Sequence, residues 1–154
     1  MFKAIFSSIT LSLGLLLSGP LFAQVEHRYP DRELLESGIP VIDIRTESEW
    51  LETGVVDQAI PITFFDARGQ HDARRFLSSL ARHVDKNEPI ALICRTGNRT
   101  STISQFLSDQ GYHVINLQGG MFYLLRQGYQ PIAYEQRVAE LVATGDCQPN
   151  SFGC

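Results

Sequence analysis

A single cysteine with two arginines close to it is the part of the sequence best suited to chemistry. Cys94 is followed by Arg95, Thr96, Gly97, Asn98 and Arg99. It comes directly after an apolar run at residues 90–93 and shortly before a helix-like stretch at residues 100–110, so the thiol lies at a strand-to-helix turn. Unpaired N–H groups at a helix N-terminus, together with arginines, stabilise a thiolate and an approaching anion. The segment therefore predicts a cysteine nucleophile in an anion-binding loop.

The length of this loop indicates which group it holds. The phosphate-binding loop of cysteine phosphatases has one residue more between its cysteine and arginine than lies between Cys94 and Arg99. The shorter loop of this chain suits a sulfur atom carried on the cysteine. A buried structural cysteine at the end of a strand is the alternative interpretation, but burial alone does not call for flanking arginines and a helix start.

Strands alternate with helices along the rest of the chain. We predict strands at residues 41–44, 59–62, 89–94 and 113–117. We predict helices at residues 30–36, from a capping box at 46–49 to Gly54, at 72–84, at 100–110, from Gly120 to near Gly128, and at 134–144. This alternation predicts an α/β fold with a mainly parallel sheet covered on both faces. Ligands bind beyond the carboxyl ends of such strands, where Cys94 and the segment from Asp43 to Arg45 both lie.

The strand, the Cys-Arg-Thr-Gly-Asn-Arg loop and the helix resemble the active-site region of the rhodanese (sulfurtransferase) family. The resemblance extends over roughly residues 30–131. It implies a rhodanese-like three-layer fold, with a mainly parallel central sheet between two layers of helices. It also implies sulfur transfer as the activity.

In this interpretation Cys94 attacks the outer sulfur of a small anionic donor such as thiosulfate. It keeps that sulfur as a persulfide and passes it to cyanide or a thiol. Backbone N–H groups of residues 95–100 would cradle the persulfide, with Gly97 supplying a φ that other residues resist. Arg95 and Arg99 would hold the oxyanion end of the donor, although a surface salt bridge is the alternative for either one. Thr100 and Ser101 are interpreted as helix-start residues, outside the site.

Two further elements resemble the family pattern. Asp43 and Arg45 resemble its Asp-x-Arg element, and Glu49 and Trp50 its Glu-aromatic pair, which implies that they support the pocket without taking part in the chemistry. The chain departs from the pattern at residues 54–59, which lack a histidine and a second glycine, and at Leu124, where the family often has tryptophan. These departures bear on acceptor choice and local packing, and none touches the cysteine loop.

The N-terminus has the pattern of a signal peptide. Lys3 precedes an apolar stretch at residues 4–17, and Ala23 ends a small-residue cleavage signal. We therefore predict a cleaved leader at residues 1–23, one domain at 24–145, a tail at 146–154, and a periplasmic or secreted location without stable membrane insertion. An uncleaved membrane anchor is the alternative, although the stretch is short for one.

Export affects the interpretation of the remaining cysteines. Cys147 and Cys154 bracket a turn-rich tail and could form a disulfide in an oxidising compartment. Two unpaired tail cysteines or a weak metal site are the alternatives. Cys94, interpreted as an exposed thiol, would need protection from oxidation there, which makes a reductant protein a candidate partner.

Charge and histidine placement narrow the function classes. The net charge of −4 without a basic stripe makes nucleic acid a poor candidate partner. The four histidines show no metal-ligand spacing, and we expect no metal or organic cofactor. The sequence thus predicts an exported sulfurtransferase. The alternative is a non-enzymatic binding or sulfur-carrier module that acts with a partner protein, while a thiol-disulfide protein would lack the Cys-x-x-Cys spacing.

Overall fold

The structure, a computed structural model, describes residues 25–147, and a five-stranded sheet runs through this part of the chain. Its strands are β1 (Val25–Arg28), β2 (Val41–Asp43), β3 (Ile60–Pro61), β4 (Pro89–Ile93) and β5 (His113–Leu117). All four pairings are parallel, and the spatial order is β1-β5-β4-β2-β3. Cys94 directly follows the central strand β4 and so lies at the carboxyl edge of the sheet, and Asp43 is the last residue of the neighbouring β2. The predicted parallel sheet is confirmed, while β1, which the sequence did not predict, pairs with β5 at one edge.

Helices cover both faces of this sheet. They are α1 (Arg32–Glu36), α2 (Glu47–Thr53), α3 (Ala73–Leu80), α4 (Asn98–Asp109), α5 (Gly120–Arg126) and α6 (Tyr134–Thr144). Because side chains alternate along a strand, Ile90 and Leu92 of β4 pack with residues of α3 and α4, whereas Ala91 and Ile93 pack with residues of α1 and α5. The two apolar clusters confirm the predicted three-layer α/β class.

The helix ends show where local sequence signals succeeded. The Thr46–Glu49 capping box is present at the start of α2, as predicted. Helix α1 starts at Arg32 with Asp31 as N-cap, so Pro30 lies before the helix and not in its first turn. Helix α4 starts at Asn98, earlier than its apolar pattern indicates, because Gly97 adopts a left-handed conformation and acts as N-cap.

Helix α3 is shorter than predicted. The predicted stretch at residues 72–84 forms a helix only as far as Leu80, after which a hydrogen-bonded turn continues to Val84. Phe76 and Leu80 are nevertheless buried, and Val84 packs against the same cluster. The apolar periodicity therefore identifies Phe76 and Leu80 as buried, although it overestimates the length of the helix, and Ala81, another apolar position of the pattern, is exposed.

The last helix packs on the domain, as its apolar face predicts. The rings of Tyr134 and Trp50 lie 5.1 Å apart between α6 and α2. Arg137 donates hydrogen bonds to the carbonyl oxygens of Ala59 and Gln58 at 2.7 and 3.0 Å. Cys147 follows α6 and is buried beside Leu141.

Two predictions from the sequence fall on other parts of the chain. The proposed leader at residues 1–23 and Cys154 lie outside the described residues. Within residues 25–147, no helix is both long enough and apolar enough to cross a lipid bilayer.

Candidate active site

Cys94 is the first residue after β4, and its side chain faces the interior. The residue is 0% exposed and belongs to the apolar cluster formed with α3 and α4. Its Sγ accepts a hydrogen bond from the Gly97 N–H at 3.2 Å. The expectation of an exposed thiol is therefore wrong, because the loop folds over the sulfur.

A left-handed turn at Gly97 makes this enclosure possible. Gly97 has a φ of +88°, a value that residues with a side chain rarely adopt. The prediction that Gly97 supplies such a φ is therefore confirmed. A Cβ at this position would lie 2.9 Å from the Gly119 backbone nitrogen. The turn after β4 thus packs against the turn after β5, backbone to backbone.

The N-terminus of α5 fixes the start of the cysteine loop. Met121 N–H donates to the Cys94 carbonyl oxygen at 2.9 Å, and Phe122 N–H donates to the Arg95 carbonyl oxygen at 2.9 Å. Gly120 allows this approach, since a Cβ there would overlap the Cys94 carbonyl oxygen. First-turn N–H groups of a helix lack partners within their own helix, so these bonds satisfy α5 and position the loop together.

Arg99 points to α2 and forms a two-bonded ion pair with Glu49. Its Nη1 and Nη2 donate to Glu49 Oε2 and Oε1 at 2.8 and 2.6 Å. Glu49 raises the pKa of Arg99, and interaction with Cys94 raises it further. Burial alone would raise the pKa of Glu49, but hydrogen bonds from Arg99 and from the backbone of Thr46 bring it down from 4.5 to about 2. Both side chains are therefore charged at neutral pH.

Asp43 and Arg45 form a second, fully buried ion pair under this region. Arg45 Nη2 lies 2.6 Å from Asp43 Oδ2, and the two side chains are 1% and 0% exposed. The remaining guanidinium donors bond Thr53 Oγ1 at 2.6 Å and the Gly54 carbonyl oxygen at 2.7 Å. Arg45 thus links the end of β2 to the end of α2, and its buried charge is paired with Asp43.

The outer side of the loop carries the remaining predicted residues. Arg95, Thr96 and Asn98 are exposed. Arg95 borders a cleft of about 80 Å³ between α2 and α5, which is also lined by Arg45, Glu49, Glu52, Thr53, Met121, Phe122 and Leu125. Arg99 is thus held in an ion pair with Glu49, whereas Arg95 is exposed and borders this cleft, which Glu49 also lines.

A larger groove of about 800 Å³ lies next to this region. Its walls include Trp50, Phe64 and Tyr134, together with Thr46 from the cap of α2. Cys94 does not line it. Ile62, Phe64 and Phe76 in its wall belong to the same apolar cluster as Cys94.

Two features of the site were missed by sequence reasoning. Glu49 was expected to support the pocket, but its direct pairing with Arg99 was not predicted. Thr100 was set aside as a helix-start residue, yet its Oγ1 lies 3.7 Å from Cys94 Sγ and the residue is 0% exposed. Its place one turn after the loop was the available signal, since a hydroxyl in the first turn of a helix can face back to the preceding residues.

Comparison with protein families identifies one that matches most of the described chain. A model of the rhodanese-like domain matches residues 31–127. The chain is 30% identical over 81 residues to "Putative sulfurtransferase YtwF" of Bacillus subtilis, a match that covers 53% of this chain and 68% of that protein. It is 32% identical over 94 residues to the mitochondrial protein HIGH ARSENIC CONTENT 1 of Arabidopsis thaliana, covering 60% of this chain and 56% of that protein.

Solved structures with a similar fold were also found. The crystal structure of Rv0390 from M. tuberculosis has a TM-score of 0.49 and 24% identity, covering 57% of this chain and 71% of that chain. A rhodanese-related protein from Thermoplasma volcanium has a TM-score of 0.47 and 22% identity, covering 63% of this chain and 86% of that chain.

Proposed function

We propose a function from the premise that this chain belongs to the rhodanese-like domain family. The protein is a sulfurtransferase that carries sulfane sulfur on Cys94 as a persulfide. The observation that supports this most is the placement of Cys94 Sγ at the N-terminus of α4, 3.2 Å from the Gly97 nitrogen and beside Arg99. An N–H donor, a helix dipole and a guanidinium converge on one sulfur atom, as a thiolate nucleophile requires.

The first half-reaction takes sulfur from an anionic donor such as thiosulfate. The Cys94 thiolate attacks the outer sulfur, an S–S bond forms, and the bond from that sulfur to the sulfonate group breaks. Sulfite leaves with the electron pair of the broken bond. Arg99 stabilises the negative charge of the donor, and Arg95 attracts the anion from solvent.

The second half-reaction returns the enzyme to its starting state. Cyanide or a thiolate attacks the outer sulfur of the persulfide, and the S–S bond breaks with both electrons remaining on Cys94. The products are thiocyanate or a new persulfide, together with the Cys94 thiolate. No metal or organic group takes part in either step.

The burial of Cys94 has a consequence for access. Since the residue is 0% exposed, the loop at residues 95–98 must move before a donor sulfur meets Sγ. Thr96 and Asn98 are its residues free to move, because they are exposed and α5 holds the carbonyl groups of Cys94 and Arg95 at the start of the loop. A donor small enough to enter with a modest displacement is therefore favoured over a large one.

The same burial supports a second candidate function. A sulfur held away from solvent suits a carrier module that exchanges sulfur only when a partner protein opens the loop. In that case small donors turn over slowly, whereas a protein donor or acceptor reacts quickly.

Export of the protein is part of the proposal. A leader cleaved after Ala23 would leave a mature chain of one domain and a short tail, in the periplasm or outside the cell. There the enclosure of Cys94 slows its oxidation, and a reductant protein restores any thiol that is lost.

Persulfide formation tests the enzymatic proposal directly. The purified full chain is treated with thiosulfate and its intact mass is measured, followed by mapping of the modified peptide. We expect one added sulfur atom on Cys94, no addition in Cys94→Ser, and thiocyanate release when cyanide follows. A sulfur mapped to another cysteine, or full turnover in Cys94→Ser, would overturn the proposal. Persulfide formation without turnover would favour the carrier module.

A further inference from the structure

Thr100 completes a closed ring of contacts around the cysteine sulfur. Its Oγ1 lies 3.7 Å from Cys94 Sγ and donates a hydrogen bond to the Gly97 carbonyl oxygen at 3.0 Å. Gly97 in turn donates its N–H to Sγ at 3.2 Å. Thr100 is 0% exposed, so its hydroxyl has no access to solvent. The hydroxyl is therefore limited to buried partners, and the structure gives it Cys94 Sγ and the Gly97 carbonyl oxygen.

The single proton of the hydroxyl determines what each state of the cysteine can do. While the Thr100 hydroxyl donates its hydrogen bond to the Gly97 carbonyl oxygen, the lone pairs of Oγ1 are available to the S–H of a neutral thiol. Once the thiol has lost its proton, the sulfur can only accept. The hydroxyl can then rotate so that its proton points to the sulfur.

This rotation does not leave a buried carbonyl without a donor. The Gly97 carbonyl oxygen also accepts a hydrogen bond from the Ser101 N–H at 3.1 Å. It keeps that bond when the hydroxyl turns away, so the penalty for an unsatisfied buried acceptor is avoided. The two positions of the hydroxyl proton are thus both compatible with the fold.

We propose that the Thr100 hydroxyl is a catalytic group that donates to Cys94 Sγ when this sulfur becomes a thiolate. The proposal rests on the proposed function for its place in the reaction. When the acceptor removes the outer sulfur, the S–S bond breaks and its electron pair stays on Sγ. The hydroxyl and the Gly97 N–H then stabilise the departing thiolate from two sides, inside an apolar cluster where such bonds are strong.

The other charged groups near the sulfur are independent of this hydroxyl. Arg99 from α4 is paired with Glu49 from α2, Asp43 at the end of β2 is paired with Arg45, and Arg95 is exposed in the loop. Removal of the hydroxyl alone leaves all five charges in place. A change in the pH at which the thiolate forms, or in the rate of persulfide discharge, is therefore due to the loss of the hydroxyl.

The test compares Thr100→Val, which removes the hydroxyl and keeps the branched shape, with Thr100→Ser, which keeps the hydroxyl. Ser101→Ala in the same helical turn is the matched control, since Ser101 is exposed. The ultraviolet absorbance of the thiolate is followed against pH, with Cys94→Ser subtracted, and persulfide discharge by cyanide is followed separately. Absorbance does not require a reagent to enter the enclosed site.

We expect Thr100→Val to form its thiolate at higher pH than the wild type and to discharge the persulfide about tenfold more slowly. Thr100→Ser and Ser101→Ala should match the wild type in both measurements. Thr100→Ala gives a second version without the hydroxyl if the valine variant does not fold. Equal thiolate titration in the variants with and without the hydroxyl would overturn the proposal. Absence of any persulfide in the wild type would instead refute the proposed function, while the titration would still decide the contact between Thr100 and the thiolate.

Discussion

Arg99 of α4 and Glu49 of α2 meet in a two-bonded ion pair, at 2.8 and 2.6 Å, across 50 residues of sequence. Glu49 Oε2 also accepts from the Thr46 backbone N–H at 3.0 Å. The carboxylate that completes the cap of α2 therefore also sets the direction of the Arg99 guanidinium. Two of its five N–H donors are used in this way, and the guanidinium also interacts with Cys94.

Substitution of Arg99 should weaken the reaction with the donor. Arg99→Ala removes one preorganised donor beside the sulfur, for which a loss of about 100- to 1,000-fold in kcat/KM for thiosulfate is expected. Arg82→Ala, on the exposed side after α3, is the control and should be silent. Equal losses for the two variants would show that Arg99 has no special role.

Glu49 should make the stability of the fold sensitive to acid. Its pKa is lowered from 4.5 to about 2 in the folded protein, so the contribution of its charge is fully present above pH 4.5 and is lost as the pH falls toward 2. Chemical denaturation at several pH values should show that Glu49→Gln loses less stability over this interval than the wild type. Parallel pH curves for the two proteins would contradict the assignment.

Gly120 should tolerate no side chain. A Cβ there would overlap the Cys94 carbonyl oxygen and lie 2.9 Å from the Arg95 carbonyl carbon. Gly120→Ala should therefore displace the cysteine loop, reducing both persulfide formation and thermal stability. Gly128→Ala is the matched control, because Gly128 also has a positive φ but has nothing within 4 Å of an added Cβ. It should cost about 1–2 kcal/mol of backbone strain without loss of activity, and similar activity of the two variants would refute the close approach.

The tail cysteines should affect stability and not activity. A disulfide between Cys147 and Cys154 remains a prediction, and closing so short a loop should add roughly 2 kcal/mol at most. Cys154→Ser is a cleaner test than substitution of Cys147, which is buried beside Leu141 and Val138. We expect a lower unfolding temperature under oxidising conditions and unchanged sulfur transfer. Loss of persulfide formation with an intact fold would give the tail a catalytic role.

The N-terminus of the exported protein should be Gln24. Cleavage at that point would leave β1 complete, since this strand begins at Val25. N-terminal sequencing of protein from the native compartment decides the matter. If most molecules retained Met1, the predicted location would be wrong and the case for a tail disulfide would weaken.

The fold could be predicted from the sequence wherever one segment contains its own signal. The apolar strand β5 and helix α6 have the predicted bounds. Their apolar pattern lies within each segment, and glycines stand close to their ends in the sequence. Strand β1 carries no such signal. Its residues are Val25, Glu26, His27 and Arg28, two of them exposed, as an edge strand permits.

The site was predictable to the same extent. The strand, the cysteine and the helix start are consecutive in sequence, so the position of Cys94 could be inferred directly. The pairing of Arg99 with Glu49 depends on how α2 packs beside α4, which no local pattern specifies. The hydroxyl of Thr100 faces the sulfur because α4 begins at Asn98, two residues before its predicted start.

The sheet order also determines when the domain can be completed. β1 pairs with β5 alone among the five strands, and His27 and Asn116 bond across 89 residues of chain. As the polypeptide emerges from a ribosome, β1, the first strand of the described residues, appears long before the partner it needs. Contacts between distant segments form slowly. Among the described strands β1 is therefore made first but is among the last to be paired, and a nearly finished chain still has an open sheet edge.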